Sequence, residues 1–181
     1  MPVDNLELQF AATFLDAKYD NFTTVFGSCT AANVSLDPRC TGRVGQPRLI
    51  DASGKTLNNA PEFKGTASAN YTIPLAAGGR VSLFGQVSHQ GEVFFNADNS
   101  ASMTQGSYTL LDARVGYETE NGAFAVALFA KNLTDEEYFH NIVQFTSTSD
   151  TAIDIFNVGH ALGYPAPGRQ WGLELRYSFG R

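Results

Sequence analysis

Six stretches of this chain alternate apolar and polar residues with a period of two, and that parity limits the fold more than any other feature. Alternation sends successive side chains to opposite faces of an extended strand. Each run is also close to the ~9–11 residues that a tilted strand needs to cross a bilayer. The first sets Leu6, Leu8, Phe10, Ala12 and Phe14 against Glu7, Gln9, Ala11 and Thr13. In the second, Phe63, Gly65, Ala67, Ala69, Tyr71 and Ile73 alternate with Lys64, Thr66, Ser68, Asn70 and Thr72. The third opposes Val81, Leu83, Gly85 and Val87 to Arg80, Ser82, Gln86 and Ser88, with Phe84 as an exception. Leu111, Ala113, Val115 and Tyr117 then face away from Asp112, Arg114 and Glu118, and Phe124, Val126, Leu128 and Ala130 face away from Ala125, Ala127, Phe129 and Lys131. The last run is the cleanest, with Trp171, Leu173, Leu175, Tyr177 and Phe179 opposite Gln170, Glu174, Arg176 and Ser178. The expected fold class is all-β, an antiparallel transmembrane β-barrel segment of about six strands.

Composition enters where it separates membrane from water. Charged residues are 17% of the 181, below the roughly 25% of soluble domains. No stretch approaches the ~18 consecutive apolar residues of a membrane helix, so a helical membrane protein is excluded. A formal net charge of -6 argues against nucleic acid as a partner, because phosphate binding needs a basic patch. The connections between the runs alternate between roughly forty residues, six, fifteen, three and thirty-five, and bacterial barrels pair long outer loops with short periplasmic turns in this way. Pro74 to Gly79 and Glu120-Asn121-Gly122 carry the glycine and Asn-Gly chemistry of tight hairpins. The first strand is thereby expected to run outward and the sixth to return.

That orientation sorts the aromatic residues into two levels, where barrels place amphipathic rings at the water interfaces. Tyr71, Tyr117, Phe124, Tyr177 and Phe179 fall at the periplasmic ends, and Phe14, Phe63 and Trp171 near the outer ends. Phe63 to Tyr71 and Trp171 to Phe179 are each eight residues apart. At ~3.3 Å per residue and a tilt of ~40°, eight steps rise about 20 Å, close to the ~25 Å apolar band. Alternation alone also fits a soluble lipocalin-like barrel with the apolar face inward. The loop asymmetry, the two aromatic levels and the fixed charges Lys64, Asp112, Arg114, Glu118, Lys131, Glu174 and Arg176 on the opposite face favour the membrane barrel.

The residues resemble a known family. KNLTDEEYF, Lys131 to Phe139, is similar to the asparagine-leucine and aspartate-tyrosine signature that follows the penultimate strand of TonB-dependent outer-membrane receptors; Lys131, Asn132, Leu133, Asp135 and Tyr138 carry it. PGRQWGLELRYSF, Pro167 to Phe179, resembles their final strand, beginning Pro167, Gly168, Arg169. DAKYDNF (Asp16 to Phe22), NNAPEFKG (Asn58 to Gly65) and YTLLDARVGYE (Tyr108 to Glu118) are similar to recurrent pieces of the same barrel region. The resemblance implies a twenty-two-stranded barrel, an N-terminal plug inside it and a periplasmic energy-coupling protein that acts through the N-terminal part. Six strands are fewer than the smallest closed barrels possess and would leave two unpaired edges in lipid. Residues 1–181 are accordingly expected to be the C-terminal portion of such a barrel, with plug and N-terminal strands absent.

Other chemistry is sparse. Cys29 and Cys40, the two cysteines, share the first long loop, where an exported protein meets an oxidising compartment, and a disulfide is expected. Two thiols without C-x-x-C spacing or a nearby histidine make only half a structural zinc shell. His89, His140 and His160 are too scattered to suggest ligands, and no metal or cofactor is expected. Asp135, Glu136, Glu137, Asp150 and Asp154 precede Arg169 without an intervening cation, a pattern that fits either attraction of a cationic or metal-bearing ligand or a solvated loop. His89 lies near the outer rim, but no nucleophile elbow accompanies it and Ser88 belongs to the opposite face, so no catalytic residue is named. The expected function is uptake of a nutrient of the siderophore, vitamin or glycan class across the outer membrane of a Gram-negative bacterium, with outer-membrane lipid, the remaining strands and plug, and an unidentified small ligand as partners. A passive barrel or adhesin made by self-association is the rival from another class.

Overall fold

The computed structural model describes residues 4–29, 31, 34–35, 40, 43–145 and 160–179. Among the described residues the strands in chain order are β1 (Leu6–Phe14), β2 (Thr23–Ser28), β3 (Pro47–Asp51), β4 (Phe63–Pro74), β5 (Arg80–Gln90), β6 (Val93–Phe94), β7 (Thr104–Gln105), β8 (Tyr108–Glu118), β9 (Phe124–Lys131), β10 (Phe139–Phe145), β11 (His160–Pro165) and β12 (Gln170–Tyr177), with a 3-10 turn at Ala101–Met103. Six of them form one antiparallel sheet in the order β1-β4-β5-β8-β9-β12. These are the six alternating runs of the sequence, and each neighbour in the chain is the neighbour in the sheet. The fold is all-β and antiparallel, and the sheet does not close, because β1 and β12 remain its two edges.

The remaining strands pair two by two as β2-β3, β6-β7 and β10-β11. Each small hairpin sits in one of the long connections, at the same end of the sheet. Sequence parity did not reveal them, since strands of two to seven residues are too short to establish a period. The opposite end is closed by residues 75–79 and 119–123. Leu75 and Gly79 share a backbone bond of 3.0 Å. Gly79 has φ +85°, and a Cβ there would come within 2.5 Å of the Glu118 carbonyl oxygen, so this turn admits only glycine. In the other turn Asn121 Oδ1 accepts from the Ala123 amide at 3.0 Å, and Gly122 takes φ 65°.

Among the described residues the buried apolar ones are Cys29, Ile50, Ala52, Val93, Met103, Ala127 and Ile142. All but Ala127 belong to the hairpins and loops at the long-loop end. The six-stranded sheet thus lacks a core of its own, and its large apolar side chains are among the most exposed, with Phe10 at 78%, Trp171 at 77% and Leu175 at 64%. In water such a surface would be costly by roughly 25 cal/mol for every Å² left uncovered. The loops above are laced to each other. Asn99, at φ 51°, donates to the Thr56 carbonyl and accepts from the Thr56 amide, both at 2.9 Å, and the Asn59 amide reaches the Phe94 carbonyl at 2.9 Å.

Candidate functional site on the concave face

Register carries the parity of single strands across the whole sheet. Directly paired residues share a face, so the row Leu6-Tyr71-Leu83-Val115-Leu128-Leu173 is apolar from edge to edge. The row Leu8-Ala69-Gly85-Ala113-Ala130-Trp171 repeats it. The opposite face carries Glu7, Gln9, Lys64, Ser68, Asn70, Arg80, Asp112, Arg114, Glu118, Lys131, Glu174 and Arg176. Three depressions, of about 170, 360 and 190 Å³, line this polar face. Its own large apolar residues, Leu110, Phe84 and Phe129, are half-buried, whereas Leu8, Val115 and Leu128 on the other face are about half exposed. The sheet therefore curves with its polar face concave and its apolar face convex.

The eight aromatic residues expected at two levels all belong to the convex side. Phe14 pairs with Phe63, their rings 4.9 Å apart, and Phe124 pairs with Tyr177. Phe179 lies just past β12, edge-on to Tyr177 at 4.7 Å. These levels do not follow the rows. The row of Trp171 meets β1 at Leu8, six residues short of Phe14, and the row of Tyr71 meets β12 at Leu173, four residues from Tyr177. Both levels drift in the same sense by about 1 to 1.5 residues per strand; with ~3.3 Å along a strand and ~4.8 Å between strands this is a tilt of about 35–45°, the range of closed barrels. The girdles are level only if the strands are tilted.

On the concave wall, charges meet across an intervening strand. Arg114 of β8 reaches Glu174 of β12 at 3.0 Å, and Arg176 of β12 reaches Glu118 of β8 at 3.6 Å. Opposite Glu174, Arg176 and Glu118 β9 presents Ala127 and Ala125, with Phe129 opposite Arg114, so small side chains clear the space beside the ring that both pairs cross. Arg80, directly paired with Glu118, joins it at 2.9 Å. These groups are a quarter to three-fifths exposed, which keeps each pair's contribution to stability at ~0–1 kcal/mol. Their effect is on the wall itself, a band of fixed charge of both signs. Beside it Phe129 lies over Gly172, where a Cβ would come within 2.9 Å of the ring. Phe84 and Phe129 flank Arg114 in the same row, which gives the wall one apolar stretch.

The two C-terminal motif segments, thirty residues apart in sequence, are brought into contact. Asn132 is 6% exposed and left-handed at φ 49°. Its amide donates to Asp112 Oδ1 at 2.9 Å, its Nδ2 donates to the Glu136 carbonyl at 2.9 Å, and its Oδ1 accepts from the Glu136 amide at 2.8 Å. The Leu133 amide continues the β8 ladder to the Leu111 carbonyl at 2.7 Å. Asp135 then accepts from the Arg169 amide at 2.7 Å, with the guanidinium 3.8 Å from its second oxygen, and Arg169 Nη1 approaches the Leu133 carbonyl at 3.4 Å. Gly168 passes close beneath Asp135 Oδ1. Tyr138 stacks on Tyr108 at 4.2 Å and His140 stands edge-on to Tyr138 at 5.4 Å. Lys131 and Pro167 are exposed at the two ends of this clamp. It fixes the top of β9 against the start of β12 and uses both functional oxygens of Asp135 for the fold. Asp150 and Asp154 lie outside the described residues. Among the described residues no three His, Cys, Asp or Glu side chains converge as metal ligands.

Cys29 and Cys40 are joined in the first long loop, with S–S 2.10 Å and Cα–Cα 5.7 Å. Cys29 is fully buried, and its backbone bonds Gln46 and Gly45. His89 Nδ1 lies 2.8 Å from Thr109 Oγ1, on the convex face. Ser88 is on the other face, opposite Leu110.

The comparisons with known proteins come to the same architecture. The family described as TonB dependent receptor-like, beta-barrel matches residues 5–133, which include all three upstream pieces that resembled it in sequence. The ferric yersiniabactin uptake receptor FyuA from Yersinia pestis is similar in structure with a TM-score of 0.57 and 22% identity over 71% of this chain and 18% of the receptor. BauA, the ferric preacinetobactin receptor from Acinetobacter baumannii, gives a TM-score of 0.56 and 20% identity over 97% of this chain and 20% of its own. No curated protein matches the chain in sequence. The chain spans about a fifth of the length of those receptors. With that family model matching residues 5–133, well over half of its length, the chain belongs to the TonB-dependent receptor β-barrel family.

Proposed function

We infer that this chain is the C-terminal part of the barrel wall of an outer-membrane transporter that takes up a scarce nutrient in a Gram-negative bacterium. One observation carries the reading: along its six strands a single sheet carries no Asp, Glu, Lys or Arg on its convex face and is charged across its concave one. A soluble barrel would curve the other way, with the apolar residues inside. The two receptors it resembles in structure are named for ferric chelates, which favours a metal chelate over a vitamin or glycan as ligand. The remaining strands and a plug would complete the barrel, and an energy-coupling protein would act through the plug. The wall's charges belong to transport.

Iron-limited growth of a strain lacking the full receptor, supplied with one ferric chelate at a time, tests this reading. Loss of growth on a particular chelate, restored by the intact gene, is expected. If growth is unaffected by every chelate and the purified chain alone conducts ions in a planar bilayer, the passive self-associating barrel replaces it.

A further inference from the structure

His89 and Thr109 stand apart from every other residue on the convex face. Along the six long strands that face is built from Ala, Gly, Val, Leu, Ile and aromatic side chains, and it carries no Asp, Glu, Lys or Arg. His89 and Thr109 are direct cross-strand partners, joined through Nδ1 and Oγ1 at 2.8 Å. They share the row Ala12-Gly65-His89-Thr109, one row inside Phe14-Phe63, and the Phe63 ring is 5.8 Å from the imidazole. Following the diagonal drift of the outer girdle from β1 to β12, the girdle crosses β5 at His89 and passes just below Thr109 on β8. The pair therefore sits at the outer interface, where hydrocarbon gives way to headgroups.

A polar pair at this position needs a partner that hydrocarbon cannot provide. With the Thr109 hydroxyl donating to Nδ1, the ring proton is on Nε2, and that N–H has no acceptor among the described residues. If instead Nδ1–H donates to Thr109, the hydroxyl proton is the one left to point outward. Either tautomer presents a donor to the lipid side, flanked by the Phe63 and Phe14 rings that would cover the start of an acyl chain.

We propose that His89, held by Thr109, docks the phosphate of an outer-leaflet lipid headgroup against the barrel. The inference rests on the outer-membrane reading above and adds one specific lipid contact to it. A headgroup phosphate supplies acceptor oxygens at the height where the donor lies, and the rings beside it suit a lipid better than a free ion.

The test uses the full receptor with 15N-labelled histidine, reconstituted in phosphate-free galactolipid vesicles with bis-phosphorylated lipid A, with the same lipid A stripped of phosphate, or with inorganic phosphate in the buffer. His89 is assigned by its loss in His89→Leu. Its Nε2 resonance is expected to shift with phosphorylated lipid A alone, and Thr109→Val should weaken that response about three- to tenfold, the share of one hydrogen bond. No shift with phosphorylated lipid A, or an equal shift with inorganic phosphate, overturns the proposal. A spin label at Leu83 in the same vesicles separates the two readings. High oxygen accessibility there with no His89 response removes the headgroup contact only, whereas a label shielded from oxygen removes the membrane assignment with it.

Discussion

Replacing Leu175 by arginine in the full receptor should cost about 2–4 kcal/mol of folding free energy, the penalty for a cation on the lipid face near the bilayer midplane. The depth follows from the strand. Trp171 and Phe179 mark the two girdles and Leu175 is midway between them. Four residues at ~3.3 Å and a tilt of ~40° put it about 10 Å from either level. Leu175 is 64% exposed on the convex face and pairs with Val126, so no neighbouring side chain would neutralise the charge. Phe179→Arg, at the girdle, should cost only about 0–1 kcal/mol because the guanidinium reaches headgroups and water. Arg176→Ala breaks its contact with Glu118 at 3.6 Å, where Arg80 still holds the carboxylate at 2.9 Å, and should stay under about 1 kcal/mol. Urea unfolding in lipid vesicles, followed by loss of β-sheet signal, measures all three. A cost for Leu175→Arg no larger than for Arg176→Ala would refute the placement of lipid on the convex side.

Asn132→Ala should destabilise the turn by about 1–3 kcal/mol, since the half-buried Glu136 amide and carbonyl both lose their partner; hydrogen exchange at Glu136 reads this directly, and unchanged protection would show that the clamp is dispensable. Reducing the Cys29–Cys40 bond should release about 2–3 kcal/mol of constraint within the first long loop, visible as new protease cleavage there while the sheet's unfolding midpoint stays put. The Asp51 carboxyl is held below the ordinary carboxylate range, chiefly by the Ser53 hydroxyl and then by the Ser53 amide at 2.9 Å. Its contribution to the β2-β3 hairpin is accordingly present above the ordinary carboxylate pKa and lost as pH falls through the lowered value. NMR titration of Asp51 should move upward in Ser53→Ala, and an unmoved titration would count against this cause.

Parity made all six long strands legible, because every one has a face that must avoid charge. Leu173, Leu175 and Tyr177 opposite Glu174 and Arg176 fixed β12 without any knowledge of its neighbour. Pairing was a different matter. That Arg114 meets Glu174 depends on which residues of β8, β9 and β12 stand abreast, and on β9 being alanine where they cross, neither of which one strand's pattern contains. The drift of the girdles was hidden for the same reason, since tilt belongs to the relation between strands. His89 was legible only as a residue near the rim; its isolation on an otherwise apolar face emerged from the register. The motif residues Asn132, Asp135 and Arg169 could be singled out by resemblance, but the contact of Asp135 with Arg169 closes a span of 34 residues. Local pattern carries no information on such a closure.

The clamp at Asn132, Asp135 and Arg169 also separates what may change from what must not. It joins the two ends of the third long connection before the β10-β11 hairpin begins, so the distance and angle between β9 and β12 are set independently of what lies between residues 139 and 165. A hairpin of another length or sequence grafted at those points would inherit the same footing. The outer hairpin could then be exchanged as a cassette while the last two strands keep their register.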